Sequence, residues 1–133
     1  MRRIEHNGLL LALIVNESEF TDGMEFYGDD NLPLQFGACI YTKGKILPPH
    51  IHKVRERIKE HKTLECFYIR RGKILANFYS LDKQLADKAI LNKGDWIMLY
   101  DGGHGFEILE DNTMFVEVKS GPYVSVDVDK EKF

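Results

Sequence analysis

Two histidines one residue apart, His50 and His52, close the segment Gly-Lys-Ile-Leu-Pro-Pro-His-Ile-His that begins at Gly44. Side chains of a strand alternate faces with a period of two, so a strand here would point both imidazoles the same way. Imidazole is the commonest protein metal ligand. Glu65 and His104 add a carboxylate and another imidazole further along. Such a set makes a three- or four-donor pocket. Histidines with one carboxylate suit a divalent first-row ion: Fe, Mn, Ni, Cu or Zn. Oxygen-only cations such as Ca(II) fit poorly. A lone histidine is usually a satisfied non-ligand residue. The pair at period two, the acid and the later histidine together favour a metal site.

Glu65 heads the run Glu65-Cys66-Phe67-Tyr68-Ile69. In a strand its face would also carry Phe67 and Ile69, so the carboxylate would end an apolar inward row. Burial there is costly unless a cation or an Arg partner compensates. His104 lies in Gly102-Gly103-His104-Gly105-Phe106, where glycines permit tight backbone and leave the imidazole accessible. His6, close to the N terminus, is not expected in the site.

Other side chains are candidates for catalysis or binding. In a strand over 114–119, Phe115, Glu117 and Lys119 share one face and Met114, Val116 and Val118 the other. The apolar row is expected to pack in a core. The mixed row is expected to face solvent or a wet pocket, where Glu117 and Lys119 would bind polar groups of a substrate or transfer protons. A solvated face with an incidental ion pair is the plainer alternative. Tyr100 is a third candidate because it lies close to His104. Arg55 and Arg57 carry guanidinium forks that match phosphate or carboxylate, or they belong to an ordinary surface loop.

The elements that must position these residues read as short strands. Apolar runs at 9–15, 36–42, 64–69, 74–79, 89–91, 96–100, 105–109, 114–118 and 123–128 are broken by turn residues. Residues 64–69 and 74–79 read as a hairpin turning near Gly72. Many short strands with regular turns imply a sandwich or barrel. Residues 17–33, acidic and rich in Gly, Asp and Asn, read as a surface excursion. Residues 53–62 form a charge run, a helical turn or a long loop.

Bulk properties narrow the function. The chain has 133 residues, 44% hydrophobic and 29% charged, enough for one domain with one core. Its net charge of -3 and lack of a long basic block argue against nucleic acid as partner. The run at 9–15 is far short of the roughly 20 apolar residues that span a bilayer, and the N-terminal stretch is a poor signal peptide. No membrane partner is expected. Cys39 and Cys66 read as two reduced, buried thiols of a cytoplasmic protein.

The chain resembles the cupin superfamily. The first cupin motif reads Gly, five residues, His-x-His, three or four residues, Glu, six residues, Gly. Gly44 is followed by five residues and then His50-Ile51-His52, and Glu65 by six residues and then Gly72. Twelve residues, rather than three or four, separate His52 from Glu65. The second motif is matched loosely, by Gly94 and Gly102-Gly103-His104; Tyr100 stands where Pro is usual. The resemblance spans about 36–118. It implies an all-β, double-stranded β-helix (jelly-roll) barrel in a single domain, 1–133. It implies His50, His52, Glu65 and His104 as metal ligands. His61, three residues before Glu65, is an alternative to His50 or His52. A homodimer is implied as well. Stretches such as Pro49-His50-Ile51-His52 and Gly94-Asp95-Trp96 resemble small cupins associated with bacterial surface-sugar biosynthesis.

The expected function is a metal-dependent enzyme on a small polar molecule, such as a sugar or sugar nucleotide. Isomerisation or epimerisation beside a carbonyl and oxygenation are both compatible. A non-catalytic cupin that binds a metal or small ligand, as sensor or accessory protein, is the alternative. A metal-free isomerase with His50 or His52 as general base is the third reading.

Overall fold

The computed structural model describes residues 1–29, 32–50, 62–120, 131 and 133. These residues form ten strands and one 3-10 turn, Glu17–Glu19. The strands are β1 (Arg2–His6), β2 (Leu9–Asn16), β3 (Gly23–Tyr27), β4 (Phe36–Ile40) and β5 (Glu65–Arg71). They continue with β6 (Lys73–Tyr79), β7 (Leu85–Asn92), β8 (Asp95–Leu99), β9 (Gly103–Ile108) and β10 (Met114–Lys119). The all-β expectation holds. The described strands do not close into one barrel but form three antiparallel sheets, ordered β1-β2-β8-β5-β10, β3-β4 and β7-β6-β9. Among the described residues no helix is long and apolar enough to cross a membrane.

The central strands of the five-stranded sheet, β2, β8 and β5, are buried on both faces, which explains why they read as continuous apolar runs. One face sends Phe67, Ile69, Ile97 and Leu99 into a core shared with Ile74, Ala76, Phe78, Ala89 and Leu91 of the three-stranded sheet. The other sends Leu13, Val15, Cys66 and Met98 against Tyr27 and Ala38 of the β3-β4 pair. Trp96 stacks on Phe36 on this side, with centroids 4.8 Å apart. Alternation lets β2 serve both cores, and a bulge in the β1-β2 pairing adds one residue to the first. Ile4 pairs with Ala12 and Glu5 with Leu10, so Leu11 is extra. Leu11 and Ala12, though adjacent, therefore enter the same core.

Several expectations from sequence are corrected here. The 17–33 excursion contains β3, which pairs with β4 from Gly23↔Ile40 to Tyr27↔Phe36. Residues 2–6 form a strand, joined to β2 by the Asn7-Gly8 turn with φ of 51° and 78°. That pair of positive angles is the hairpin geometry Asn-Gly favours. The turn at Gly72 is real, but β5 and β6 are not a hairpin: β5 pairs with β8 and β10, β6 with β7 and β9. The chain steps from one sheet to the other, burying Ile69 and Ile74 on either side of the step in one core. Cys39 is exposed, because β4 turns Phe36 and Ala38 inward and Gly37 and Cys39 outward; Cys66 is buried, and both thiols are free.

The apolar row of β10 is also not in a core. Met114, Val116 and Val118 are 43%, 47% and 61% exposed. β10 lies at the end of its sheet, and the row points to the side that the β3-β4 pair covers only further in. The mixed row is the one that turns toward the other sheet, as the contact of Phe115 with Phe67 shows.

Every step between the two larger sheets passes a residue with positive φ: Gly72, Gly94, Gly102 and Asn112. Gly72 and Gly102 are the tightest of these, and Gly72 meets the chain at Thr113. Its φ is +79°, and a Cβ there would lie 2.2 Å from Thr113 Oγ1 and 2.7 Å from Thr113 Cα. Gly8 has a similar φ of +78° but open space around it. Gly72→Ala should therefore cost about 2–4 kcal/mol, and Gly8→Ala only about 1 kcal/mol, in urea denaturation. Equal losses would contradict this account of the Gly72 step.

Candidate functional site

Glu65 opens β5 opposite Leu99 of β8, on the face that also carries Phe67 and Ile69. Its side chain is only 5% exposed. His104 comes from the other sheet. In β9 it pairs with Phe78 of β6, so it shares the inward face with Phe106 two residues on. The two sheets thus aim an acid and an imidazole at each other. Glu65 Oε2 and His104 Nε2 are 3.0 Å apart, and the imidazole is 28% exposed. The imidazole N–H donates to the carboxylate, and protonation of the ring would make the contact an ion pair. Either way the buried carboxylate has a strong partner, which lowers the cost of holding it there.

Beneath the pair lies an aromatic cluster. Phe67 meets Phe106 edge-on at 5.1 Å and Phe115 at 5.8 Å; Phe106 and Phe115 are 6.2 Å apart. His104 lies 5.6 Å from Phe106. These rings exclude water from one side of the carboxylate and strengthen its electrostatic interactions. They were not singled out as site residues from sequence. The period-two rule finds them: Phe67 follows Glu65 by two, Phe106 follows His104 by two, and Phe115 precedes Glu117 by two.

Lys119 and Glu117 stand on the same face. Lys119 is the cross-strand neighbour of Glu65, and Glu117 that of Phe67. Lys119 is half-buried and Glu117 exposed. The structure therefore places both beside the Glu65–His104 pair, Lys119 closer to its carboxylate.

Tyr100 is not brought to this face. Its hydroxyl donates to the Leu34 carbonyl at 2.8 Å, with Met98 Sδ 3.3 Å away, in the core on the opposite side of the sheet. Its role there is packing. His50 is exposed, and residues 45–50 form no strand, so the strand premise for the His50-His52 pair fails over its described part. The His50 Nδ1 N–H donates to the Pro48 carbonyl at 3.2 Å. His52, Arg55, Arg57 and His61 lie outside the described residues. Among the described residues, no group of three or more His, Cys, Asp or Glu is arranged to hold a metal ion. The described part of the site is thus one carboxylate and one imidazole. No family model, curated protein or solved structure matches the chain.

The core behind the site is tuned to neutral side chains. Burial pushes the Cys66 thiol up from 9.0 to about 11. Burial, with smaller contributions from Cys66 and Asp29, pushes the Tyr100 hydroxyl up from 10.0 to about 12. Both groups hold their protons more tightly folded than unfolded. The stability they contribute is complete below pH 9 and is lost as pH rises through the folded values. The urea midpoint should therefore fall between pH 9 and pH 12, and Tyr100→Phe with Cys66→Ala should flatten part of that fall. A midpoint with the same pH dependence in the double variant would refute the assignment.

Proposed function

We propose that Glu65 and His104 are two ligands of a divalent transition-metal centre in a cupin-type jelly-roll domain. The observation that carries this reading is the 3.0 Å approach of a buried carboxylate to an imidazole from the opposite sheet. One oxygen donor and one nitrogen donor suit Fe, Mn, Ni, Cu or Zn. The spacing around His50-Ile51-His52 and Glu65 supports His50 and His52 as further ligands, with His61 as the alternative. The all-β architecture and the packing of two antiparallel sheets around one core are compatible with that family.

On this reading the protein is a metal-dependent enzyme for a small polar molecule, such as a sugar or sugar nucleotide. A bound ion would supply Lewis acidity toward a substrate oxygen or, as iron, activation of dioxygen. Glu65 and His104 fix its place, and the Phe67, Phe106 and Phe115 rings keep water from one wall. Lys119 and Glu117 supply a cation and an acid beside it, able to orient polar groups or move a proton in isomerisation, epimerisation or oxygenation. The free thiols of Cys39 and Cys66 support a cytoplasmic setting. A non-catalytic metal- or ligand-binding role is the second reading. It is favoured by the way Glu65 and His104 already satisfy each other.

Elemental analysis of tag-free protein purified without chelator tests the proposal. About one transition-metal ion per chain is expected, with loss of most of it in both Glu65→Gln and His104→Ala. Metal-free wild-type protein after exposure to each of the five ions, or undiminished content in both variants, would reject the centre.

A further inference from the structure

Glycine stands on both sides of His104, at positions 102, 103 and 105. Glycine offers no side chain for a neighbour to pack on and gives the backbone its widest freedom. The place of the imidazole therefore depends on what packs against these glycines. Gly102 has a φ of +68°, and a Cβ there would lie 2.3 Å from the Tyr79 carbonyl oxygen. Gly103 is the cross-strand neighbour of Tyr79, as His104 is of Phe78. Alternation turns His104 to the inner face of the three-stranded sheet and Gly103 to its outer face.

That outer face carries a ring from far along the chain. Phe133 meets Tyr79 edge-on, with centroids 5.2 Å apart. The same ring covers Gly103: a Cβ at 103 would lie 2.9 Å from Phe133 Cζ and 3.4 Å from Tyr79 Cβ. Two aromatic residues thus supply the packing that the glycine itself lacks. Lys83 ties down the segment that brings the ring. Its Nζ is 2.6 Å from Glu131 Oε1 and 5.6 Å from the centre of the Phe133 ring. The turn that presents Lys83 is fixed in its own right. The Ser80 N–H donates to the Gln84 carbonyl at 2.9 Å, and the Lys83 N–H to the Ser80 carbonyl at 3.0 Å.

We propose that Phe133 is a positioning residue: seated on Gly103 at the outer face of β9, it holds His104 against Glu65 on the inner face. Glu131 and Lys83 form the clasp that keeps the ring in place. The contact is light. Phe133 is 64% exposed, and the ion pair lies at the surface. Such a contact opens and recloses while the cores stay intact. Opening frees the backbone at Gly102 and Gly103, and the imidazole loses its fixed place. The inference rests on the Glu65–His104 contact and not on an ion bound to it, so metal-free protein is the material for its test. Failure of the metal centre would leave the clasp standing.

Hydrogen exchange followed by NMR on the full chain reads the clasp. Phe133→Ala should speed exchange of the amides of residues 104–106 about fivefold or more, with the amides of β2 and β8 unchanged. Glu131→Gln, which removes only the charge, should speed them about twofold. Phe133→Leu, which keeps apolar cover over Gly103, should return most of the protection. The ring 15N shifts of His104 provide a readout that mere stabilisation of the fold would not move. At a fixed pH, Phe133→Ala should move them toward those of free histidine, and Phe133→Leu should bring them back. Unchanged exchange at 104–106, equal acceleration in every strand, or the same His104 ring shifts in wild type and Phe133→Ala would overturn the proposal.

Discussion

A carboxylate almost wholly removed from water organises this molecule. Glu65 sits at the head of β5 between two sheets, and a donor arriving from the other sheet lowers the cost of its burial there. His104 is that donor. Its position depends on the β6-β9 register, on the turn through Gly102, and on the packing of Phe106 against Phe67. The site is therefore a product of sheet-on-sheet packing rather than of a single loop. A shift of one residue in β9 would turn His104 to the outside and put a glycine in its place.

The packing that holds the two sheets apart is divided between two cores. The five-stranded sheet shares Phe67, Ile97 and Leu99 with the three-stranded sheet, and Leu13, Cys66 and Met98 with the β3-β4 pair. β8 lies between β2 and β5 and contributes to both cores. Asp95 at its start is buried. It accepts from Asn16 Nδ2 and from the Asn92 backbone N–H, each at 2.6 Å, which secures the step at Gly94. The buried carboxylates of Asp95 and Glu65 are thus paired, one where the chain changes sheets and the other where the candidate site forms.

Strand existence was largely legible in sequence, because turn residues separate short apolar runs and each strand has its own period. Partner choice was not. A turn centred on Gly72 has the same local chemistry whether the chain folds back on itself or crosses to another sheet. Only the shared burial of Ile69 and Ile74 distinguishes the two. Period two also separated the faces of β10 correctly without telling which face is inside. The row with Phe115, Glu117 and Lys119 faces the other sheet, and the valines face out, because β10 lies beyond the reach of the β3-β4 pair. Cys39 is exposed for a similar reason: alternation with Phe36 and Ala38 decides its side, not its hydrophobicity. The asparagine-glycine pair between β1 and β2 is itself a hairpin signal in the sequence. For the site, the residue types and the apolar rows headed by Glu65 and His104 were visible. Their meeting across two sheets, and the ring cluster beneath them, required the fold.

Diffraction recorded at the absorption edge of the ion carried by the purified protein tests the central claim most directly. The account predicts a single strong anomalous peak bonded to both the Glu65 carboxylate and the His104 imidazole. An anomalous map with its peak elsewhere, or crystals soaked in the ion that keep the direct Glu65–His104 hydrogen bond with no peak beside it, would contradict it.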